Sequence, residues 1–191
     1  MAKANRNVIT QNYRGKVGNV ILRMVGGMSI LSAYPDYSKR KWSKLQKENR
    51  AKFKKAAIYS KNILKIPERA RFYQSKARGL QNAGNMAVSD YMLHPEIREV
   101  DVSKYKGQAG NAIKVSAYDR YMVASVIVMI LNAGGFVVES GMAMEYPYGG
   151  SGKWVYKAQV PNDEWKGGKV VVRVTDLPGK VVSAIQRLDG T

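Results

Sequence analysis

The period of the hydrophobic positions changes twice along this chain. Two aliphatic runs, 17–25 and 28–32, flank Gly26-Gly27, a pair that tolerates positive φ at both turn positions, so the spacing predicts a β-hairpin. After Pro35 the apolar positions fall three and four apart. Ser43 and Gln46 fit a capping box, which predicts a helix over 44–65 with Leu45, Phe53, Ala56, Ala57, Ile63 and Leu64 as its apolar stripe. Pro67 suits the first turn of a second helix carrying Ala70, Tyr73, Ala77 and Leu80, which the stretch 79–84 breaks. A short third helix over 85–93, with Met86, Val88, Tyr91 and Met92, ends at His94-Pro95.

Beyond Pro95 alternation replaces helical spacing. Strands are predicted over 97–102, 111–118, 125–131, 136–143, 153–160, 169–175 and 180–188, separated by turn signals such as Asn132-Ala-Gly-Gly135 and Asp176-Leu-Pro-Gly179. Seven short strands in about 90 residues are the expectation for an immunoglobulin-like sandwich. The predicted fold class is α+β: an N-terminal β-hairpin with a basic three-helix module over 1–95, then an all-β sandwich over 96–191.

Charge sharpens this division. The chain of 191 residues holds 32 Lys and Arg against 14 Asp and Glu, a net charge of +18. Residues 1–95 carry 20 basic and 4 acidic side chains, whereas 96–191 carry 12 and 10. The excess peaks over 38–78, where 15 Lys and Arg face only Glu48 and Glu68. Such a run either grips phosphates or solvates a helical surface. On the first reading Lys39, Arg40, Lys41, Lys44, Lys47, Arg50, Lys54, Lys55 and Lys61 bind a nucleic-acid backbone, DNA or RNA, without reading sequence. Tyr37 and Trp42 are the candidate stacking residues among them. Phe53, Phe72 and Tyr73 are expected in the core of the helical module. A competing reading is a structural protein of a particle, filament or phage-like assembly, possible as a homo-oligomer, whose basic face meets an acidic protein partner.

Little in the chain supports catalysis. There is no cysteine and one histidine, so thiolate zinc sites, disulfides and cysteine nucleophiles are excluded. His94 lacks partners for a zinc set or a triad and reads as structural or solvent-facing. Asp163-Glu164, Glu139 and Glu145 read as surface carboxylates, because nearby lysines oppose the raised pKa a general acid needs. No Walker or dinucleotide fingerprint occurs. Gly15-Lys-Val-Gly18 has the form of a backbone-clamping GxxG loop but lacks its flanking helices, and reads better as a glycine-permitted turn or close approach. No enzyme activity, cofactor or metal site is expected. Tyr146 and Tyr148, on the glycine-rich stretch 146–152, are the candidate partner loop of the second module. The longest uncharged apolar stretch, 122–138, is too short and too broken by Asn132 and Gly134-Gly135 to cross a bilayer, and no leader-like apolar region follows the N-terminal charges. A cytoplasmic protein without membrane contact is expected.

The opening Gly15-Lys16-Val17-Gly18-Asn19-Val20, Pro35, Trp42-Ser43 and Gln46-x-x-x-Arg50-x-x-Phe53 resembles that of small basic proteins encoded in Bacteroidota genomes and their mobile elements. The likeness continues through Pro67-Glu68-x-x-Arg71-x-Tyr73 and Asn85-Met-Ala-Val-Ser-Asp-Tyr91. Those families carry no assigned activity, so the resemblance implies none. The second half resembles bacterial Ig-like domains through Trp154-Val-Tyr156 and the ending Val172-x-Val-Thr-Asp-x-Pro-Gly179. A shared fold transfers no function.

Overall fold

The structure is a computed structural model and describes residues 2–3, 13–147 and 150–189. The chain divides into two compact units, Met1–Ala51 and Lys52–Thr191.

In the first unit, β1 (Ala2–Lys3), β2 (Gly15–Val17), β3 (Val20–Val25) and β4 (Met28–Ala33) form an antiparallel sheet in the order β1-β4-β3-β2. The predicted hairpin is β3 and β4. Gly26 and Gly27 connect them with φ of 56° and 78°, as a two-residue loop that follows the strand twist requires. The stretch 15–18 is no clamp: Gly15–Val17 is the strand β2, and Gly18, at φ 57°, turns the chain with Asn19 so that Val17 pairs with Val20. The helix α1 (Lys44–Ile63) starts in this unit, and its capping box forms. Ser43 N–H donates to Gln46 Oε1 at 3.0 Å and Gln46 N–H to Ser43 Oγ at 3.2 Å.

The second unit holds the end of α1, α2 (Pro67–Lys76), α3 (Ala83–Met92) and a β-sandwich. Pro67 opens α2, and the Asn82 side chain caps α3 by accepting from Asn85 N–H at 2.9 Å. The strands are β5 (Glu96–Asp101), β6 (Ala112–Tyr118), β7 (Val123–Leu131), β8 (Val137–Met142), β9 (Met144–Glu145), β10 (Lys153–Lys157), β11 (Lys169–Asp176) and β12 (Val181–Arg187). They form two antiparallel sheets, β5-β6-β10-β9 and β12-β11-β7-β8. In chain order this is the A-B-E-D against G-F-C-C′ arrangement of immunoglobulin-like sandwiches. The seven predicted strands are all present; β9, two residues long, was not foreseen.

Alternation places the core. Ile113, Val115 and Ala117 of β6 face Val126, Val128 and Ile130 of β7 and Val170, Val172 and Val174 of β11 in one buried cluster, closed by Tyr156 and Tyr105. Gly141 on β8 is required by that packing: a Cβ there would lie 2.7 Å from the Tyr156 ring. Gly141→Ala is therefore expected to displace the ring and to loosen the 3.1 Å hydrogen bond from Tyr156 Oη to Glu139 Oε2. The expected cost is about 1–3 kcal/mol, read as a lowered urea midpoint.

A smaller core joins the helices to the sandwich within this unit. Tyr73, Met86, Ala87 and Tyr121 are buried, with Tyr59, Ile63, Leu64, Phe72 and Leu177 packed on them. The apolar stripe expected along α1 is corrected here. Only its second half is covered, through Ala56, Ser60, Tyr59, Ile63 and Leu64, while Leu45, Phe53 and Ala57 are exposed. Phe53, expected in the core, is 56 % exposed because no described element covers that part of the helix.

Candidate nucleic-acid interface

The nine basic candidates are all exposed: Lys39, Arg40, Lys41, Lys44, Lys47 and Arg50 in the first unit, and Lys54, Lys55 and Lys61 in the second. Six of them lie on α1. At about 100° per residue, Lys44, Lys47, Arg50, Lys54, Lys55 and Lys61 fall within an arc of about 140°, opposite the buried Ala56 and Ser60. Like charges three and four apart on one helical face each cost a few tenths of a kcal/mol. This arrangement weakens the isolated helix and suits it to an anionic partner.

Glu48 is the one carboxylate on α1 and forms no ion pair within 4.0 Å among the described residues, and several other carboxylates are held by hydrogen bonds elsewhere. Asp36 and Asp101 accept from Ser38 N–H and Ser103 N–H, both at 2.9 Å; the Ser38 amide and hydroxyl hold Asp36, and the Ser103 hydroxyl and amide hold Asp101, below the ordinary pKa. Asp119 Oδ1 accepts from the amides of Tyr121 and Met122, Glu139 from Tyr156 Oη and Gln159 N–H, and Glu145 from Gly152 N–H. Among the described residues one ion pair within 4.0 Å is formed, Arg98 with Glu96 at 3.8 Å. None of the nine candidates takes part in it.

The aromatic candidates are engaged by arginine. The Arg50 guanidinium lies 4.2 Å from the Trp42 ring centre and that of Arg40 4.5 Å; Arg40 also lies 5.4 Å from the Tyr37 ring. Trp42 is half-buried in this cluster, whereas Tyr37 is 56 % exposed. Lys16 sits over Tyr34 at 3.8 Å. Tyr73 is in the core, as expected, and Phe72 packs edge-on against it at 5.3 Å. In the second module Tyr146 is 68 % exposed, and Tyr148 lies outside the described residues.

A polar network in the helical core was not anticipated. Tyr59 Oη and Tyr73 Oη are 3.0 Å apart, and Tyr73 Oη donates to Asp90 Oδ2 at 2.6 Å. Burial pushes the Asp90 carboxyl up to about 6, aided by the negative charges of Asp119 and Asp176 and opposed by the Tyr73 hydrogen bond and the charge of Lys180. Burial likewise raises Asp176 and the Tyr73 hydroxyl. Lys180, at the start of the last hairpin strand, donates through Nζ to the carbonyls of Tyr91 and Leu93 and so closes the C-terminus of α3. Lys180→Met is expected to leave those carbonyls unmet, to lower stability by about 1–3 kcal/mol, and to speed amide exchange in the last turn of α3. The network lies within the helical core and positions α3, with Asp90 Oδ1 and Asp176 Oδ2 buried and without a hydrogen-bond partner among the described residues. It holds no exposed nucleophile.

His94 is exposed, and Glu164 Oε2 accepts from Asn132 Nδ2 at 3.0 Å. No group of three or more His, Asp or Glu able to hold a metal ion occurs among the described residues, and no described helix is long and apolar enough to cross a membrane. The sequence gives no signal for Arg120, one of 12 basic residues in the nearly neutral half, which lines a cavity with Lys76 and Arg78.

No family model matches the chain, and no curated protein does. Among solved structures, the crystal structure of CopC from Methylosinus trichosporium OB3b is similar at a TM-score of 0.36 and 18 % identity, over 48 % of this chain and 88 % of that one.

Proposed function

We propose that this is a non-enzymatic nucleic-acid-binding protein that acts in the cytoplasm and contacts phosphates without reading sequence. The observation that supports this reading most is the exposed face of α1, with six cations on one arc and, among the described residues, no carboxylate within ion-pair distance of any of them. A polyanion supplies what that face lacks. Each phosphate contact releases condensed counterions, so affinity falls steeply as salt rises. The sandwich, in this reading, mediates assembly or a second contact.

Fluorescence anisotropy with labelled duplex DNA, single-stranded DNA and RNA across a salt series tests it. A steep salt slope with at least one polymer is the expected result. Absence of binding at low salt overturns it and favours the second reading, a structural protein of an assembly with an acidic protein partner. That second reading draws on a different observation. The outer face of the β12-β11-β7-β8 sheet exposes Val181, Ile185, Met142 and Val137, a set of apolar side chains suited to protein contact.

A further inference from the structure

Away from α1, the second unit contains a cavity of about 380 Å³ lined by Lys76, Arg78, Gln81, Met86, Arg120 and Tyr121. Three separate stretches bring its cations together. Lys76 ends α2, Arg78 lies on the connection to α3, and Arg120 lies on the turn between β6 and β7. No acidic side chain lines the cavity; Asp119 lines an adjoining one, with its Oδ1 held by the amides of Tyr121 and Met122. Those two bonds also fix the turn that carries Arg120.

The lining is ordered by its own hydrogen bonds. Arg78 N–H donates to Gln81 Oε1 at 3.2 Å, and Gln81 N–H returns to the Arg78 carbonyl at 3.1 Å. With its oxygen so engaged, the Gln81 amide presents Nε2 as a donor. Buried Tyr121 and Met86 form an apolar floor, joined by a 3.8 Å contact from Tyr121 Oη to Met86 Sδ. Lys76 and Arg120 make only ring contacts, at 5.4 Å to Phe72 and 5.9 Å to Tyr121, and none of the three cations has a carboxylate within 4.0 Å among the described residues.

We propose that this cavity binds a phosphate group. Three cations and an amide donor around one space call for an anion with more than one charge and several acceptor oxygens, which a carboxylate is not; arginine forks match phosphate oxygens in pairs. The volume, within the ~300–1,000 Å³ of ordinary ligand pockets, leaves room for the group that carries the phosphate. That group is either a small phosphorylated molecule or a nucleic-acid strand.

The experiment titrates the full chain with inorganic pyrophosphate by calorimetry, and with a single-stranded oligonucleotide lacking terminal phosphates by anisotropy. Both titrations are repeated on Arg78→Gln/Arg120→Gln and on Lys76→Gln, whose site is the exposed end of α2. A loss of tenfold or more in pyrophosphate affinity supports the proposal with a small ligand. A comparable loss with the oligonucleotide alone supports it with a strand. Unchanged affinity of the variants for both probes, or no binding of either probe by the unaltered chain at low salt, overturns it. A chain altered only on α1 is expected to bind pyrophosphate normally, so the cavity and the α1 surface fail independently.

Discussion

Replacing Lys47, Arg50 and Lys54 with glutamine is expected to lower affinity for nucleic acid by about 10² to 10³-fold at 0.1 M salt and to flatten the salt slope by about 2.7, at roughly 0.9 for each phosphate no longer neutralised. The three side chains lie on the charged arc of α1 and are exposed, so their removal leaves the buried face at Ala56 and Ser60 untouched. Glutamine retains helix propensity and removes like-charge repulsion, which offsets the lost contact of Arg50 with Trp42, so the variant is expected to stay within about 1 kcal/mol of the parent in stability. Affinity thus falls while folding is nearly unchanged. Anisotropy across a salt series, with thermal unfolding as companion, reads both. Unchanged affinity in a folded variant would remove α1 from the binding surface.

The second large effect concerns stability. Asp90→Ala is expected to cost about 2–4 kcal/mol, because it removes the acceptor of the 2.6 Å bond from Tyr73, leaves that hydroxyl only its 3.0 Å contact with Tyr59, and opens a cavity. The unfolding midpoint should fall by roughly 2–4 °C per kcal/mol. Asp90→Asn separates shape from charge. In the folded chain the Asp90 carboxyl titrates at about 6, above its ordinary 3.8, so between about pH 4 and pH 6 the folded state binds more protons than the unfolded one. The contribution of this group is therefore fully present below pH 4 and lost as pH rises through 6, by at most about 3 kcal/mol. The asparagine variant should show a smaller fall in stability between pH 4 and pH 7 than the parent. A parent whose stability is flat across that window would show that Asp90 stays ionised in the fold.

Local signals were legible in the sequence and long-range coincidences were not. The capping box at Ser43, the prolyl start at Pro67 and the Gly26-Gly27 turn each depend on neighbours a few residues away, and each forms as its residues require. Strict alternation in β7 and β11 likewise needs no knowledge of the partner strand. Phe53 failed this kind of reading: periodicity tells which side chains share a face of α1, not how far along the helix another element reaches. Asp90 is read as a polar residue on a short helix until Tyr73 and Tyr59 are folded against it. The meeting of Lys76, Arg78 and Arg120 is hidden for the opposite reason: net charge along the chain marks only local runs, and Arg120 belongs to a half whose basic and acidic residues nearly cancel.

The arginines around Trp42 give the protein an intrinsic optical signal. Indole emission responds to charge within a few ångströms, and Arg40 and Arg50 hold two guanidinium groups at 4.5 Å and 4.2 Å from that ring. The other two tryptophans, Trp154 and Trp165, pack against the sandwich core. A phosphate strand that draws those guanidinium groups to itself must change the field at Trp42 while leaving the sandwich pair unaffected. Unlabelled protein should therefore report binding through its own emission, and Trp42→Phe should silence that report.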